Sequence, residues 1–573
     1  GTEVKTASAG VLNDSTTGNK KYGVDLELTD EGAEKFKTAT EEAYNNNHDT
    51  IAIYYDGSLI SVPSVNAVIE NGKAQISGNM DYEEADNIAS TIRIGGLNLE
   101  LEELSSEVVG AQLGQDALKG SLIAGIIGLA IVCVFMCWVY LLPGLASSLA
   151  LILYTELILI LLNAFDITLT LPGIAGIILG IGMAVDANVI IFARVKEELT
   201  AGKSVHASLK SGFQKAMSAI VDGNITTLIA AGVLWLRGSG TVKGFAQTLA
   251  LGIVVSMFTA LVITRLIIFA FYGAGIHNEK VYGRHLKERK PVDFLGKKKI
   301  FFVISIILCL AGPVMMGVNH ARGIGAMNYS LDFVGGTSTN VTFDKEYTLE
   351  EIDSQMIPSL EEITGDKNIQ VQTVKDSNQV VFKTQTLDLE KREALASYLN
   401  ENYGVETSDI ATENISSTVS SEMRRDAVIA VIIATICMLL YIWFRFKDIR
   451  FATSAVIALM HDVLVVLGFY VIARVSVGNT FIACMLTIVG YSINGTIVIF
   501  DRIREALATK SRTEDLKDLV NRCITQTLTR TIYTNFTTFV MVVALYILGV
   551  SSIKEFAAPL MVGIICGGYT SVC

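Results

Sequence analysis

The sequence predicts a polytopic α-helical membrane protein: a duplicated bundle of eleven spans that carries two α+β domains on its outer face. Three observations predict it. The composition is 51% hydrophobic and 18% charged, with a mean hydropathy of +0.47, more apolar and less charged than a soluble protein of this size. Eleven apolar runs of roughly 20 residues are each long enough to cross a bilayer. Finally, LTLPGIAGIILGIGMAVDANVIIFARVKEEL (Leu169 to Leu199) returns about 300 residues later as FIACMLTIVGYSINGTIVIFDRIREAL (Phe481 to Leu507), with Gly182 on Gly490, Asp186 on Asn494, Phe192 on Phe500 and Arg194 on Arg502.

Residues 1–118 read as a first soluble α+β domain. YGVDLELTD alternates like a strand and EGAEKFKTATEEAY reads as a helix. TIAIYYDG reads as a strand closed by an Asp56-Gly57 turn, MDYEEADNIASTIRIGG as a helix and LNLELEEL as a last strand. Apolar spans follow at about 119–141, 144–165, 171–193, 217–236, 245–273 and 300–318, so residues 119–273 form a first helix group, 274–299 a basic linker and 300–318 one further helix. Residues 319–424 form a second soluble domain, with strands in MNYSLDFVGG, STNVTF, IQVQTV and QVVFKTQ and helices in TLEEIDSQMIPSLEEI and LEKREALASYLNENY. The second helix group, 425–573, has spans at about 426–444, 450–473, 479–500, 526–548 and 555–572. The chain opens on Gly1 in polar sequence and stops at Cys573 at the end of an apolar run, so a further N-terminal helix, about twelve spans in all, and a cytoplasmic tail are expected beyond it.

Orientation follows from Lys and Arg in the short loops. Loops 194–215, 274–299, 445–450 and 501–523 are basic, whereas 166–170 has no basic residue and 474–479 only Arg474. With eleven spans every basic loop falls on one face, which is therefore cytoplasmic, and both soluble domains lie outside. The net charge of -12 gives no sign of nucleic-acid binding. Eight cysteines lie in or beside apolar runs without a CxxC pair, which argues against zinc and disulfides and for small apolar packing groups.

The repeat extends past the central helix. ALILYTELILI (150–160) parallels ALMHDVLVVLG (458–468), and residues 223–253 parallel 534–564, with Asn224 on Asn535 and Thr226-Thr227 on Thr537-Thr538. Two halves in the same order and orientation form a parallel repeat about the membrane normal, which places functional groups between the halves.

Ionisable groups at membrane depth mark those places. At 1.5 Å per residue, Asp186 lies roughly 12 Å inside the inner end of its helix, and Asp222 and Arg530 lie at about the same depth on later helices. Asp462, beside His461, is twelve residues from both Arg450 and Arg474, near the midplane. Asp186 among small residues is the first candidate for ion coupling, and Arg530 is the cation expected to serve it. Asp222, followed by Gly223-Asn224, reads either as a coupling acid or as a bend and helix-packing contact. His461-Asp462 reads either as an ion site or as an inter-helix hydrogen bond, and Asp501-Arg502 as an interfacial cap and anchor. Gly180, Gly182, Gly490 and Gly495 are positions where another helix approaches closely or hinges. No GxxxxGK[ST], HExxH, GxSxG or GxGxxG pattern is present, so no enzyme is expected and the energy must come from an ion gradient or a partner.

These motifs resemble the SecD and SecF families. LPGIAGIILGIGMAVDANVIIFARVKEEL, GKAQISGN (72–79), VVGAQLGQDALKGSLIAG (108–125) and NITTLIAAGVLWLRGSGTVKGFA are similar to SecD. DFLGKKKIFFVIS (293–305), YSLDFVGGT (329–337), HDVLVVLG, GYSINGTIVIFDRIRE and TRTIYTNFTTF are similar to SecF. The resemblance covers nearly the whole chain in order and implies a fused member of the RND superfamily in the bacterial plasma membrane, with ferredoxin-like outer domains that bind unfolded preprotein. It implies an auxiliary role beside the SecYEG channel after the SecA ATPase, with YidC and YajC as further partners and membrane lipid around it. It implies no cofactor beyond a coupling ion, H+ or Na+, and no metal site. The SecD carboxylate maps onto Asp186, the SecF arginine of the eleventh helix onto Arg530, and the SecD DxNITT segment onto Asp222. One departure stands out: the SecF motif usually reads GYSINDT, and here Gly495 replaces the acid. Coupling then rests on Asp186 and Arg530 alone, or Asp462 substitutes, or Asn494 and Thr496 coordinate a cation or water chain, or coupling is weakened. Two other readings are an uncoupled translocon or insertase scaffold and a small-molecule RND exporter, whose outer domains are typically several times larger than these.

Overall fold

The computed structural model describes residues 3–13, 20–55, 58–95, 103–108, 111–238, 240–283, 290–366, 369–373, 378–510 and 514–573. It divides into two compact units, Gly1–Glu103 and Leu104–Cys573. The first contains β1 (Val4–Asn13), β2 (Lys20–Leu28), α1 (Asp30–Asn45), the hairpin strands β3 (Ile53–Tyr55) and β4 (Ser58–Ser61), β5 (Lys73–Met80) and α2 (Tyr82–Gly95). An antiparallel sheet in the order β1-β2-β5 buries Ala7, Val24 and Ile76 against Ala85 and Ala89 of α2. Thr29 starts α1 by accepting the Gly32 amide, the cap expected at the end of a strand-like run. The expected Asp56-Gly57 turn and most of the expected strand LNLELEEL lie outside the described residues.

The second unit opens with β6 (Ser105–Val108) and then α3 (Ala111–Tyr140), α4 (Leu142–Ala164), α5 (Leu171–Thr200), α6 (Val205–Arg237) and α7 (Gly240–Phe258). One π turn joins α7 to α8 (Thr264–Gly273), so both form a single span. A short α9 (Glu279–Tyr282) precedes α10 (Lys298–Ala321). The outer domain comprises α11 (Leu331–Val334), β7 (Gly336–Thr342), α12 (Leu349–Gln355), α13 (Ile357–Thr364), β8 (Gln370–Thr373), β9 (Gln379–Thr384), α14 (Leu389–Tyr403) and β10 (Ile410–Ile415). The chain re-enters the bundle with α15 (Ser417–Phe446), α16 (Ile449–Ile472), α17 (Asn479–Ala508), α18 (Leu516–Leu548) and α19 (Ser551–Val572). Eleven helices among the described residues are long and apolar enough to span a membrane, as the hydropathy predicts.

The outer domain has strand order β10-β7-β9-β8 with crossover helices on one layer, the βαββαβ arrangement of a ferredoxin-like fold. Its core packs Val341, Phe343 and Phe382 of the sheet against Ile352, Leu360, Leu395 and Leu399 of the helices. Among the described residues of the first unit the same arrangement is not found, because β1 and β2, consecutive strands, pair directly as antiparallel neighbours. Three boundaries also differ from the expected ones. The first unit ends at Glu103 and not at 118, because β6 joins the second domain's sheet by pairing with β10. MNYSLDFVGG is not a strand: Leu331–Val334 is a helical turn, ended by Gly335 at φ 81°, a value that favours glycine. The basic segments 194–215 and 501–523 are mostly helix, with α5 and α17 running to Thr200 and Ala508. No Gly or Pro interrupts RVKEELT or RIREALA, so these helices continue past the apolar run.

The two central helices, α5 and α17, are the most enclosed spans. Pro172 and the Thr170 cap start α5. Each central helix crosses a helix of the other half at a glycine. A Cβ on Gly182 would lie 3.0 Å from Thr538 Cα of α18, and one on Gly490 would lie 3.1 Å from Thr227 Cα of α6. Thr227 and Thr538 are repeat equivalents, so the interface between halves is the same contact made twice. Gly180 instead admits the Tyr154 hydroxyl of α4, at 2.6 Å from a Cβ.

Candidate functional site

The glycine crossings bring α5, α17 and α18 together around a cavity of about 30 Å³, room enough for water. Asp186 of α5, Arg530 of α18, Tyr491, Asn494 and Gly495 of α17 and Ser571 of α19 line it. Asp186 is 5% exposed. Its Oδ1, the Asn494 Oδ1 and the Arg530 Nη2 are buried without hydrogen-bond partners. The guanidinium acts electrostatically on the carboxylate, but no hydrogen bond or ion pair closes between them. Buried charge with unmet hydrogen-bonding capacity is costly, and here neither group of the pair is satisfied by the other. Tyr491 donates to the Asn535 side-chain oxygen at 3.0 Å. Asn494 sits on Gly223 of α6, where a Cβ would come within 2.1 Å of its oxygen, and a second, smaller cavity joins Asp186 to Asn494, Asn224 and Thr227. The repeat partners Asp186 and Asn494 thus face one another across the halves' interface.

The structure places the other expected residues elsewhere. Asp222 does not line the cavity beside Asp186 and Arg530. It accepts from Arg445 Nε at 2.6 Å, Tyr441 Oη at 2.9 Å and Ser218 Oγ at 3.3 Å, because α15 of the second half packs on α6 and brings a cation that reads in sequence as a loop charge. Thr496 is buried but lines neither cavity; two positions along a helix from Asn494, it lies on the opposite side. Gly495 does face the cavity, where a Cβ would meet the Ser571 Cβ at 3.2 Å. Asp462 is fully buried in α16 and accepts from Ser492, Thr570, Cys566 and His461.

Two further sets of residues emerge, of which only Arg502 was singled out from sequence, as an interfacial anchor. At the inner ends of α5 and α17, Arg194 bonds Glu197 at 3.0 Å and Glu505 at 3.2 Å, while Arg502 bonds Glu505 at 3.1 Å and lies 3.6 Å from Glu197. Arg194 pairs with Arg502 in the repeat and Glu197 with Glu505, so each half contributes the same two charges to a reciprocal lattice. The repeated R-x-x-E spacing is its sequence signal. On the outer side, Asp332 of α11 accepts from the Asn479 amide at 2.8 Å, the Asn479 side chain at 3.0 Å and Ser330 Oγ at 3.1 Å. It thereby satisfies the first turn of α17, and Gly478 is required there because a Cβ would lie 2.4 Å from the carboxylate. Burial raises the Asp332 carboxyl above its ordinary range against these bonds. Burial likewise lowers the Lys383 amine on β9, opposed by Glu555 and Glu413.

Comparison with known proteins follows the same outline. Residues 93–273 and 395–573 each match the family described as protein export membrane protein SecD/SecF, C-terminal, and residues 1–99 match the SecDF P1 head subdomain. One family therefore matches the chain twice, at the two halves of the repeat. Protein translocase subunit SecDF of Bacillus subtilis (strain 168) is 35% identical over 592 residues, covering 98% of this chain and 78% of its own. Protein translocase subunit SecDF of Thermus thermophilus is 36% identical over 554 residues, covering 96% and 73%. The crystal structure of SecDF, a translocon-associated membrane protein from that organism, superposes with a TM-score of 0.77 at 34% identity, covering 100% of this chain and 76% of that one. Its relative in a super-membrane-facing form gives 0.62, covering 99% and 74%.

Proposed function

The chain belongs to the SecD/SecF family, as a fused SecDF of the RND superfamily, and from that premise we propose that it draws exported polypeptide outward using ion movement past Asp186 and Arg530. The translocase channel SecYEG and the SecA motor are its partners in this reading, and unfolded preprotein is its cargo. One observation carries it. Opposite charges from opposite halves share a water-sized cavity without closing an ion pair, at the interface that must move if the halves are to rock. Protonation of Asp186 from outside removes the charge that Arg530 faces. The α5–α18 and α6–α17 glycine crossings then repack, and the Arg194–Glu505 and Arg502–Glu197 pairs, which tie the inner ends together, separate to release the proton inward.

The soluble domain follows this movement in the same reading. Asp332 fastens it to the first turn of α17, the helix that carries Asn494 and Gly495. Asp222 and Asp462, each saturated by donors, are structural in this reading. Gly495 supports a second reading, an uncoupled scaffold, since glycine carries no proton. Export into inverted membrane vesicles distinguishes the two. With coupling, collapsing the proton or sodium gradient after the ATP-driven stage slows completion for wild type and has no further effect on Asp186→Asn. Equal export by wild type and Asp186→Asn, with or without a gradient, establishes the scaffold.

A further inference from the structure

Away from the coupling cavity, α16 and α19 bring three metal-ligating atoms together at the depth of the bilayer midplane. Asp462 Oδ1, His461 Nδ1 and Cys566 Sγ lie within 4.8 Å of one another. The edges of this triangle are 3.1 Å from oxygen to nitrogen, 3.1 Å from oxygen to sulfur and 3.7 Å from sulfur to nitrogen. Tetrahedral zinc, with bonds of about 2.0 Å to N and O and about 2.3 Å to S, requires edges of roughly 3.3, 3.5 and 3.5 Å. Shifts of a few tenths of an ångström convert one triangle into the other.

The surroundings are those of a ligand set. Ser492 and Thr570 both donate to Oδ2 of Asp462, which leaves Oδ1 as the oxygen turned toward the imidazole and thiol. Hydroxyls that fix a carboxylate in this way are the outer-shell partners that orient metal ligands. Every hydrogen-bonding contact of the His461 ring is directed at Asp462 and Cys566, for its Nε2 is buried without a partner. α10 closes the site from the side, crossing α16 with Gly312 against Gly468.

We propose that His461, Asp462 and Cys566 bind a divalent, thiol-seeking cation of the zinc class, clamping α19 to α16 inside the membrane. The carboxylate and a Cys566 thiolate offset the two positive charges, so the loaded site is neutral where a net charge is costly. Binding releases the thiol proton, and the imidazole's hydrogen moves from Nδ1 to Nε2 to free the ligating nitrogen. The site is separate from the coupling cavity and does not depend on the function proposed above. Its ligands escape motif reading because no CxxC or HxxxH spacing exists: they meet only through helix packing.

The full chain, purified in detergent under reducing conditions, is stripped with chelator and titrated with cobalt(II). Wild type is expected to take up about one ion per chain with thiolate-to-cobalt charge-transfer absorption. Cys484→Ser, which removes a buried thiol elsewhere, keeps the band, and Cys566→Ser loses it. Ser492→Ala keeps it with affinity weakened about 10- to 100-fold. Should Cys566→Ser fail to fold, the wild-type titration and the Cys484→Ser and Ser492→Ala arms decide alone. No thiolate band in wild type, a band retained in Cys566→Ser, or unchanged affinity in Ser492→Ala would overturn the proposal.

Discussion

Replacing Asp222 with Asn separates a structural carboxylate from a coupling one. The native side chain is nearly enclosed and accepts three hydrogen bonds, the shortest from Arg445 at 2.6 Å. Asparagine keeps the shape and loses the charge. Removing one member of a fully buried ion pair costs about 3–5 kcal/mol. Here the Arg445 side chain retains 21% of its exposure and has Asp501 at 4.0 Å as a remaining acid, so a loss of about 2 kcal/mol is expected, roughly 30-fold in the folding equilibrium. Arg445→Met is expected to cost a similar amount, and the double variant to recover at least about 1 kcal/mol of the sum. Unfolding of the purified chain in mixed SDS micelles, followed by tryptophan fluorescence, measures all four corners of the cycle. Export by Asp222→Asn at a permissive temperature should keep its dependence on the ion gradient. Additivity within about 0.5 kcal/mol, or a gradient-independent variant of native stability, would refute the pairing as the role of Asp222.

The glycine crossings make a symmetric prediction: Gly182→Ala and Gly490→Ala each force apart a helix backbone now 3.0 or 3.1 Å from the added methyl. Each should cost about 1–3 kcal/mol and slow export, while Gly232→Ala, which meets open space, should do neither. Asp332 predicts a pH dependence. Its folded carboxyl holds its proton to higher pH than the unfolded chain, so the folded state binds more protons in that window and stability falls as pH rises through it. Thermal unfolding between about pH 4 and about pH 7 should show a smaller fall for Asp332→Asn than for wild type; equal slopes would count against it. Gly495→Asp places a carboxylate beside Ser571 on the wall of the Asp186 cavity. It is expected to change the ion preference or pH profile of export, and an unchanged profile would remove Gly495 from the ion path.

Much of the architecture is legible in the chain itself. Apolar length finds every span, and Gly182 and Gly490 read as positions of close helix approach, although their partners Thr538 and Thr227 are seen only in the structure. Counting depth along helices put Asp186 and Arg530 at one level, and they line one cavity. The same counting put Asp222 there too, because depth says nothing of which way a side chain faces. Its partner Arg445 lies 223 residues away, in a segment that reads as loop. Asp462 was visible as a midplane acid, but its donors Cys566 and Thr570 come from a helix about 100 residues later. Strand β6 was not read as a strand, and its residues were counted with the first domain, for a related reason: four residues before a membrane helix carry no signal for a partner at 412–415. Local physics is readable along the chain, whereas a pairing between distant helices is set by how the two halves pack.

The most direct test of coupling is ion movement itself. Full-length protein reconstituted into liposomes under an imposed proton or sodium gradient, with a trapped pH or sodium indicator, is expected to pass ions measurably above protein-free liposomes. Asp186→Asn is expected to fall to that background while retaining its fold, and Asp222→Asn and Asp462→Asn, once folded, to retain conduction. Conduction by Asp186→Asn equal to wild type would contradict the assignment of Asp186 as the coupling carboxylate.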